Sequence, residues 1–387
     1  MLKSYHIYNP KITGSVFQEW EQCLETMSYD FRSGKRFIKL SIFINSEDFQ
    51  SFISSHKMIG ESLLFTFKGA CPAFCVTVHP PGLPFKVSVE AAYISDSNQD
   101  INYNTFETTP YVTFKTEYGK EVWVCGLGSG KFSLSTQKSA RFAFNQMVEI
   151  LESEHMTMDN VVRQWNYIGN ILKVENGYQN YQIFNEIRNE FYQRYRKVHG
   201  YPAATGIGMK FDGVVIDFLA IEADRSLRVN SIDNPRQINP YTYNQQVLKG
   251  LVFEGKLQNQ APQFERALLL INNELSTIYV SGTAAIIGQD TIGKDDVIQQ
   301  TIVTMDNITK ITDKENISRF FDGSDNFPSK YSLLRVYIKR QKDFEVVKSV
   351  CNNYYSNVPI SYIEADICRE ELLVEIEAEN SSTKYFQ

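Results

Sequence analysis

PISYIEADICREELLVEIEAE, residues 359–379, ends in a run that decides how the rest of the chain is read. In Leu372–Ala378 the side chains alternate: Leu372, Val374 and Ile376 point one way and Leu373, Glu375 and Glu377 the other, as in a β-strand. Two carboxylates therefore share one face. An edge strand with a solvated side accounts for that pattern, and so does a core strand whose acids bind something or do chemistry.

Working outward, the stretch has a match earlier in the chain. VVIDFLA at 214–220 parallels LLVEIEA at 372–378, and each closes a series of elements in the same order. VWVCG at 122–126 matches IYVSG at 278–282, and each is followed by a helical pattern: Ala140, Ala143, Phe144, Met147, Val148 and Leu151 in one, Val297, Thr301, Thr304, Met305 and Ile308 in the other. VVRQW at 161–165 then matches LLRVY at 333–337, and second helices follow at Tyr181–Tyr195 and Phe344–Tyr355. The chain reads as two copies of a β-α-β-α-β unit. Asp217 stands where Glu375 does, but Leu219 replaces Glu377, so only the second copy keeps the acid pair.

A chain of 387 residues has room for two domains, and a net charge of −6 without a dense basic run speaks against a general nucleic-acid binder. The six cysteines form no close-set framework, so reduced thiols in a cytoplasm are expected. Cys71 and Cys75 lack a second ligand pair, and no metal is expected. MLKSYHIYNPK has no signal pattern, and no apolar run approaches a membrane span of about 18 residues. GLGSGK at 126–131 lacks the ending of a phosphate loop, and the five histidines pair with no nucleophile motif. Residues 1–120 read as strand-rich, with strands expected at 37–44, 63–69, 85–94 and 111–119. An irregular stretch with two Asn-Pro pairs spans 223–262, a surface loop is expected at 320–330, and the tail after Glu379 should fray.

VVRQWNYI at 161–168, PAATGIG at 202–208, NPRQ at 234–237, Phe264-Glu-Arg-Ala267, VSGTAAIIG at 280–288 with its following DDVIQQT, and ADICREELLVEIEA at 365–378 resemble the chorismatase family. The resemblance implies an α+β fold of two Rid (YjgF)-like domains, each a mixed sheet with helices on one face: a degenerate one over 1–222 and one over 223–387 carrying the acidic strand. It implies a cofactor-free enzyme that cleaves the enolpyruvyl ether of chorismate to pyruvate and 3- or 4-hydroxybenzoate, as a monomer or small homo-oligomer. It further implies that a glutamate of the closing strand protonates the methylene carbon, here Glu375 or Glu377, with Glu375, the first glutamate of VEIEA, preferred. A carboxyl flanked by Leu373, Val374 and Ile376 can be kept protonated near neutral pH by desolvation.

Chorismate carries two carboxylates, and the planar fork of arginine suits a carboxylate. Arg163, Arg236 and Arg266 fall in matched motifs and are expected to clamp substrate, although Arg163, repeated as Arg335, also fits a structural ion pair. Tyr167, Tyr241 and Cys368 complete the expected site. The rival readings are a chorismate hydrolase giving a dihydroxycyclohexadiene carboxylate, a Rid-type imine deaminase, and a non-catalytic protein that binds an aromatic metabolite.

Overall fold

The computed structural model describes residues 3–95, 100–252, 256–272, 275–321, 327, 330–355 and 357–383. Its fold is α+β, with mixed sheets that carry their helices on one face. The expected loop at 320–330 lies mostly outside the described residues. Among those described, no helix is long and apolar enough to cross a membrane.

The two matched copies fold alike. In the earlier copy the elements are a first strand Gly119–Leu127, helix Thr136–Ser153, second strand Val161–Gly169, helix Asn180–Tyr195, third strand Ala203–Met209 and closing strand Val214–Ala223. Their counterparts in the last unit are Leu275–Ala284, Val297–Thr312, Tyr331–Ile338, Phe344–Tyr354, Ile360–Glu364 and Val374–Thr383. In both, the sheet order is third, second, closing, first, with the third parallel to the second and the closing strand antiparallel to both neighbours.

Residues 4–94 form one more copy than the sequence reading counted. Ser4–Tyr8, helix Val16–Arg32, Arg36–Ile44, helix Phe49–Thr66, Ala73–Val78 and Val87–Ile94 repeat the same order, pairing and directions. The chain thus holds three units, and the boundary expected at 222/223 falls one residue short of the end of the second unit's closing strand, Val214–Ala223. The strand expected at 63–69 is instead the end of a helix. Its core-facing residues Phe52, Ile59 and Leu63 recur at helical spacing, and Asp48 caps its start by accepting from the Ser51 amide. The helix before it opens on a capping box, Ser15 with Gln18, and buries Trp20, Cys23 and Met27.

The strand Arg228–Ile232 lies inside the stretch expected to be irregular and pairs with Ala267–Ile271, which widens the third sheet. The closing strand of that sheet runs to Thr383, so residues 380–383 are paired rather than frayed. It is a central strand, not an edge. Val374, Ile376 and Ala378 pack under the unit's helices, whereas Glu375, Glu377 and Glu379 face the other two units and are buried.

Candidate active site

Strand register fixes which residues of the three units are equivalent. Lys39, Arg163 and Arg335 occupy one place on the second strands, opposite Ala92, Leu219 and Glu377 of the closing strands. Two residues earlier on the closing strands stand Glu90, Asp217 and Glu375, opposite Ser41, Trp165 and Tyr337. The seven ionic residues at these positions all point inward, because strand side chains alternate.

Each cation reaches out of its own sheet. Lys39 of the first unit pairs with Asp217 of the second at 3.5 Å, and Arg335 of the third pairs with Glu90 of the first. The same rule would send Arg163 of the second unit to Glu375 of the third. It goes to Glu377 instead, at 2.9 Å. Glu377 also receives Arg335 at 3.3 Å and hydrogen bonds from Trp165 Nε1 at 2.7 Å, Thr205 Oγ1 at 2.5 Å and Tyr337 OH at 3.1 Å. Burial alone would raise its carboxyl, but the two guanidiniums and these donors hold it down to about 2.

Glu375 is as buried as Glu377 at 5 % exposure, yet among the described residues it has no ion-pair partner. Burial, then the neighbouring charge of Glu377, push its carboxyl up to about 8 against the weaker pull of Arg266 and Arg163. Two carboxylates on one strand face are therefore driven in opposite directions, one ionised and one protonated near neutral pH.

Glu375 lies on the wall of a cavity between the second and third units. Ala204 and Gly206 come from the second unit's third strand, and Gly282 and Ala284 from the third unit's first strand. Tyr181, Phe264 and Leu372 supply apolar surface, while Arg266, Arg369 and Lys249 supply positive charge. Arg266 donates to Ile238 O at 2.7 Å and Tyr243 OH at 2.8 Å, and its buried Nε–H has no acceptor. Arg369 donates to Gln289 O at 2.7 Å and lies 5.3 Å from the centre of the Tyr243 ring. A buried donor without a partner beside a second guanidinium is suited to an anionic ligand.

Of the residues expected from the sequence, Glu375, Arg266 and Cys368 line this cavity. Arg163 and Glu377 lie behind it as an ion pair. Tyr167 sits at the junction of the units, where its hydroxyl accepts from Arg335 at 3.1 Å. Arg236 pairs with Asp306 at 3.5 Å, and Tyr241 lines a separate cleft with Tyr201 and Arg196. Burial pushes the Cys368 thiol up to about 12. Sequence reasoning missed Arg369, Tyr243 and Lys249. Arg369 follows Cys368 inside a motif already singled out, and Tyr243 is two residues beyond Tyr241.

Residues 110–220 match the family model described as chorismatase FkbO/Hyg5-like, N-terminal. A 3-hydroxybenzoate synthase of Streptomyces hygroscopicus is 29 % identical over 247 residues, which are 62 % of this chain and 68 % of that protein. A chorismatase of the same organism is 33 % identical over 177 residues, 46 % of this chain and 48 % of that one. A crystal structure of a chorismatase superposes with a TM-score of 0.68 at 19 % identity, covering 98 % of each chain. The fold thus agrees from end to end with that of a chorismatase, and the sequence agreement takes in the unit that supplies one wall of the cavity: the chain is similar to the chorismatase family in both.

Proposed function

We propose that this chain cleaves the enolpyruvyl ether of chorismate, releasing pyruvate and a hydroxybenzoate, with Glu375 as the proton donor. The observation that carries the reading is a buried, unpaired carboxyl, protonated near neutral pH, on the wall of a cavity that also offers Arg266 and Arg369. Proton transfer from Glu375 to the terminal methylene carbon gives an oxocarbenium ion, and the carboxylate left behind stabilises that cation. Capture of the cation by a ring hydroxyl and collapse release pyruvate. Chorismic acid has the composition of pyruvic acid plus hydroxybenzoic acid, so the cleavage consumes no redox partner or co-substrate. Capture by water adds one water and leaves the dihydroxycyclohexadiene carboxylate of the hydrolase reading. The relative named 3-hydroxybenzoate synthase favours the aromatic product and the 3-isomer.

Arg266 and Arg369 take the two carboxylates in this reading. Cys368 stays a thiol and shapes the wall beside the ring, since burial keeps it from acting as a thiolate nucleophile. Both walls come from one chain, which supports a site complete in a monomer. The six cysteines are all unpaired, which supports work in a reducing cytoplasm.

Purified protein mixed with chorismate, with pyruvate followed by a coupled assay and the aromatic products separated, tests the reading. Pyruvate with 3-hydroxybenzoate is expected; pyruvate with the non-aromatic diol would move the chain to the hydrolase branch. No pyruvate above the buffer rate would overturn the assignment. Because the donor must be protonated, kcat/KM should be level on the acid side and fall about tenfold per pH unit once pH rises through about 8. A profile that instead rises across that range would exclude Glu375 as the acid.

Gly282 gives a second check. A Cβ at this position would overlap Oε1 of Glu375 and lie 3.0 Å from Thr205 Cγ2. Gly282→Ala should displace the carboxyl and slow pyruvate release by roughly 10²-fold. Turnover within threefold of the parent would show that the carboxyl need not stand where it does.

A further inference from the structure

The three interfaces between units are built to one pattern, and only one departs from it. Where the first unit meets the second, Lys39 neutralises Asp217; where the third meets the first, Arg335 neutralises Glu90. At the interface holding the cavity, the equivalent cation is Arg163 and the equivalent acid is Glu375, and they are not paired. The difference is a single extra acid. Glu377 stands where the other units have Ala92 and Leu219, and it takes both Arg163 and Arg335.

We propose that Glu377 is a positioning residue that withholds Arg163 from Glu375, so that the one acid which, among the described residues, faces the cavity stays free of the cation that its two counterparts each hold. The proposal deepens the reading of Glu375 as the proton donor and rests on it for its catalytic meaning. Charge balance supports it. Lys39, Arg163 and Arg335 are already matched by Asp217, Glu90 and Glu377, which makes Glu375 the odd acid in the cluster. Without Glu377 the ring would again hold three cations and three acids, with Glu375 as the third.

The groups that face Glu375 are few. Glu377 is on its own strand, Arg163 lies across the junction, Arg266 approaches from the cavity wall, and Tyr181 comes from the second unit's helix. Cys368, Arg369 and Lys249 border the same cavity. Of the cations, Arg163 alone holds the place that makes an ion pair in both other units.

The test is a titration of Glu375 by carbon-13 NMR of labelled glutamate in the full chain, the resonance being assigned by its loss in Glu375→Gln. In the parent, Arg163→Met should raise the Glu375 midpoint only slightly, because Arg163 is engaged by Glu377 and pulls on Glu375 from a distance. Glu377→Leu, which installs the second unit's residue, should lower the midpoint by about 1–3 pH units. Adding Arg163→Met to that background should raise it again by a similar amount. Loss of the repulsion from Glu377 would lower the midpoint without this dependence on Arg163. Equal effects of Arg163→Met in both backgrounds would overturn the proposal. Glu377→Gln keeps the volume and an acceptor for Trp165, and the same cycle run in it decides the matter if the leucine variant does not fold. No chorismate enters the titration, so failure of the substrate assignment would show in the pyruvate assay and leave this result standing.

Discussion

Glu375→Gln is expected to slow pyruvate release from chorismate by roughly 10²–10⁴-fold, the usual loss when a positioned general acid is removed. The amide keeps the shape of the side chain beside Gly282 and cannot deliver the proton. It also removes a group that burial and the charge of Glu377 disfavour as an anion, so thermal stability should hold or rise slightly. Chorismate affinity should persist, since Arg266 and Arg369 are untouched. The measurements are kcat from the coupled assay, the dissociation constant by calorimetry and the melting temperature. A loss of less than about tenfold, with binding intact, would transfer the proton to another donor.

Arg335→Met should cost about 3–5 kcal/mol of stability, the penalty for removing one side of a buried charge cluster and leaving its acids unmatched. Arg335 is 1 % exposed. Its Nε lies 2.9 Å from Glu90 Oε2, and its NH1 donates to the hydroxyls of Tyr167 at 3.1 Å and Tyr337 at 3.2 Å. It links the first unit to the third through Glu90 and Glu377. Urea unfolding reads the change as a lower midpoint at unchanged slope. The exposed pair Lys57 and Glu61, 3.8 Å apart on one helix, is the control, and Lys57→Met should shift stability by no more than about 0.5 kcal/mol. A shift in Arg335→Met as small as the control's would mean that the central ring is not what joins the units.

Much of this was legible in the sequence, and the limits have physical causes. Alternation in Leu372–Ala378 placed two acids on one strand face, and the match of VVRQW with LLRVY put Arg163 and Arg335 in equivalent positions. The first unit escaped notice because it shares few identical letters with the other two: Lys39 in FIKLSIF stands where they have arginine, and Glu90 in VSVEAAY where they have Asp217 and Glu375. A short apolar run such as LLFTFKG fits a strand and a buried helix end equally well, and only the spacing back to Phe52 decides. Alternation identified the inward face, but Arg163 and Tyr167 on that face reach the junction of the units rather than the cavity. Which of Glu375 and Glu377 stays protonated depends on where the guanidiniums of Arg335 and Arg163 go, and that is a property of strands from two units.

The three units are successive stretches of one polypeptide. A symmetric trimer of separate chains repeats every substitution at all three of its contacts. A glutamate that frees one acid would then free three and strip three ion pairs from the centre. Within a single chain the contacts are encoded separately, so two can keep their cation and acid while the third opens a cavity. Their association is also unimolecular, which makes the integrity of the cavity independent of how dilute the protein becomes.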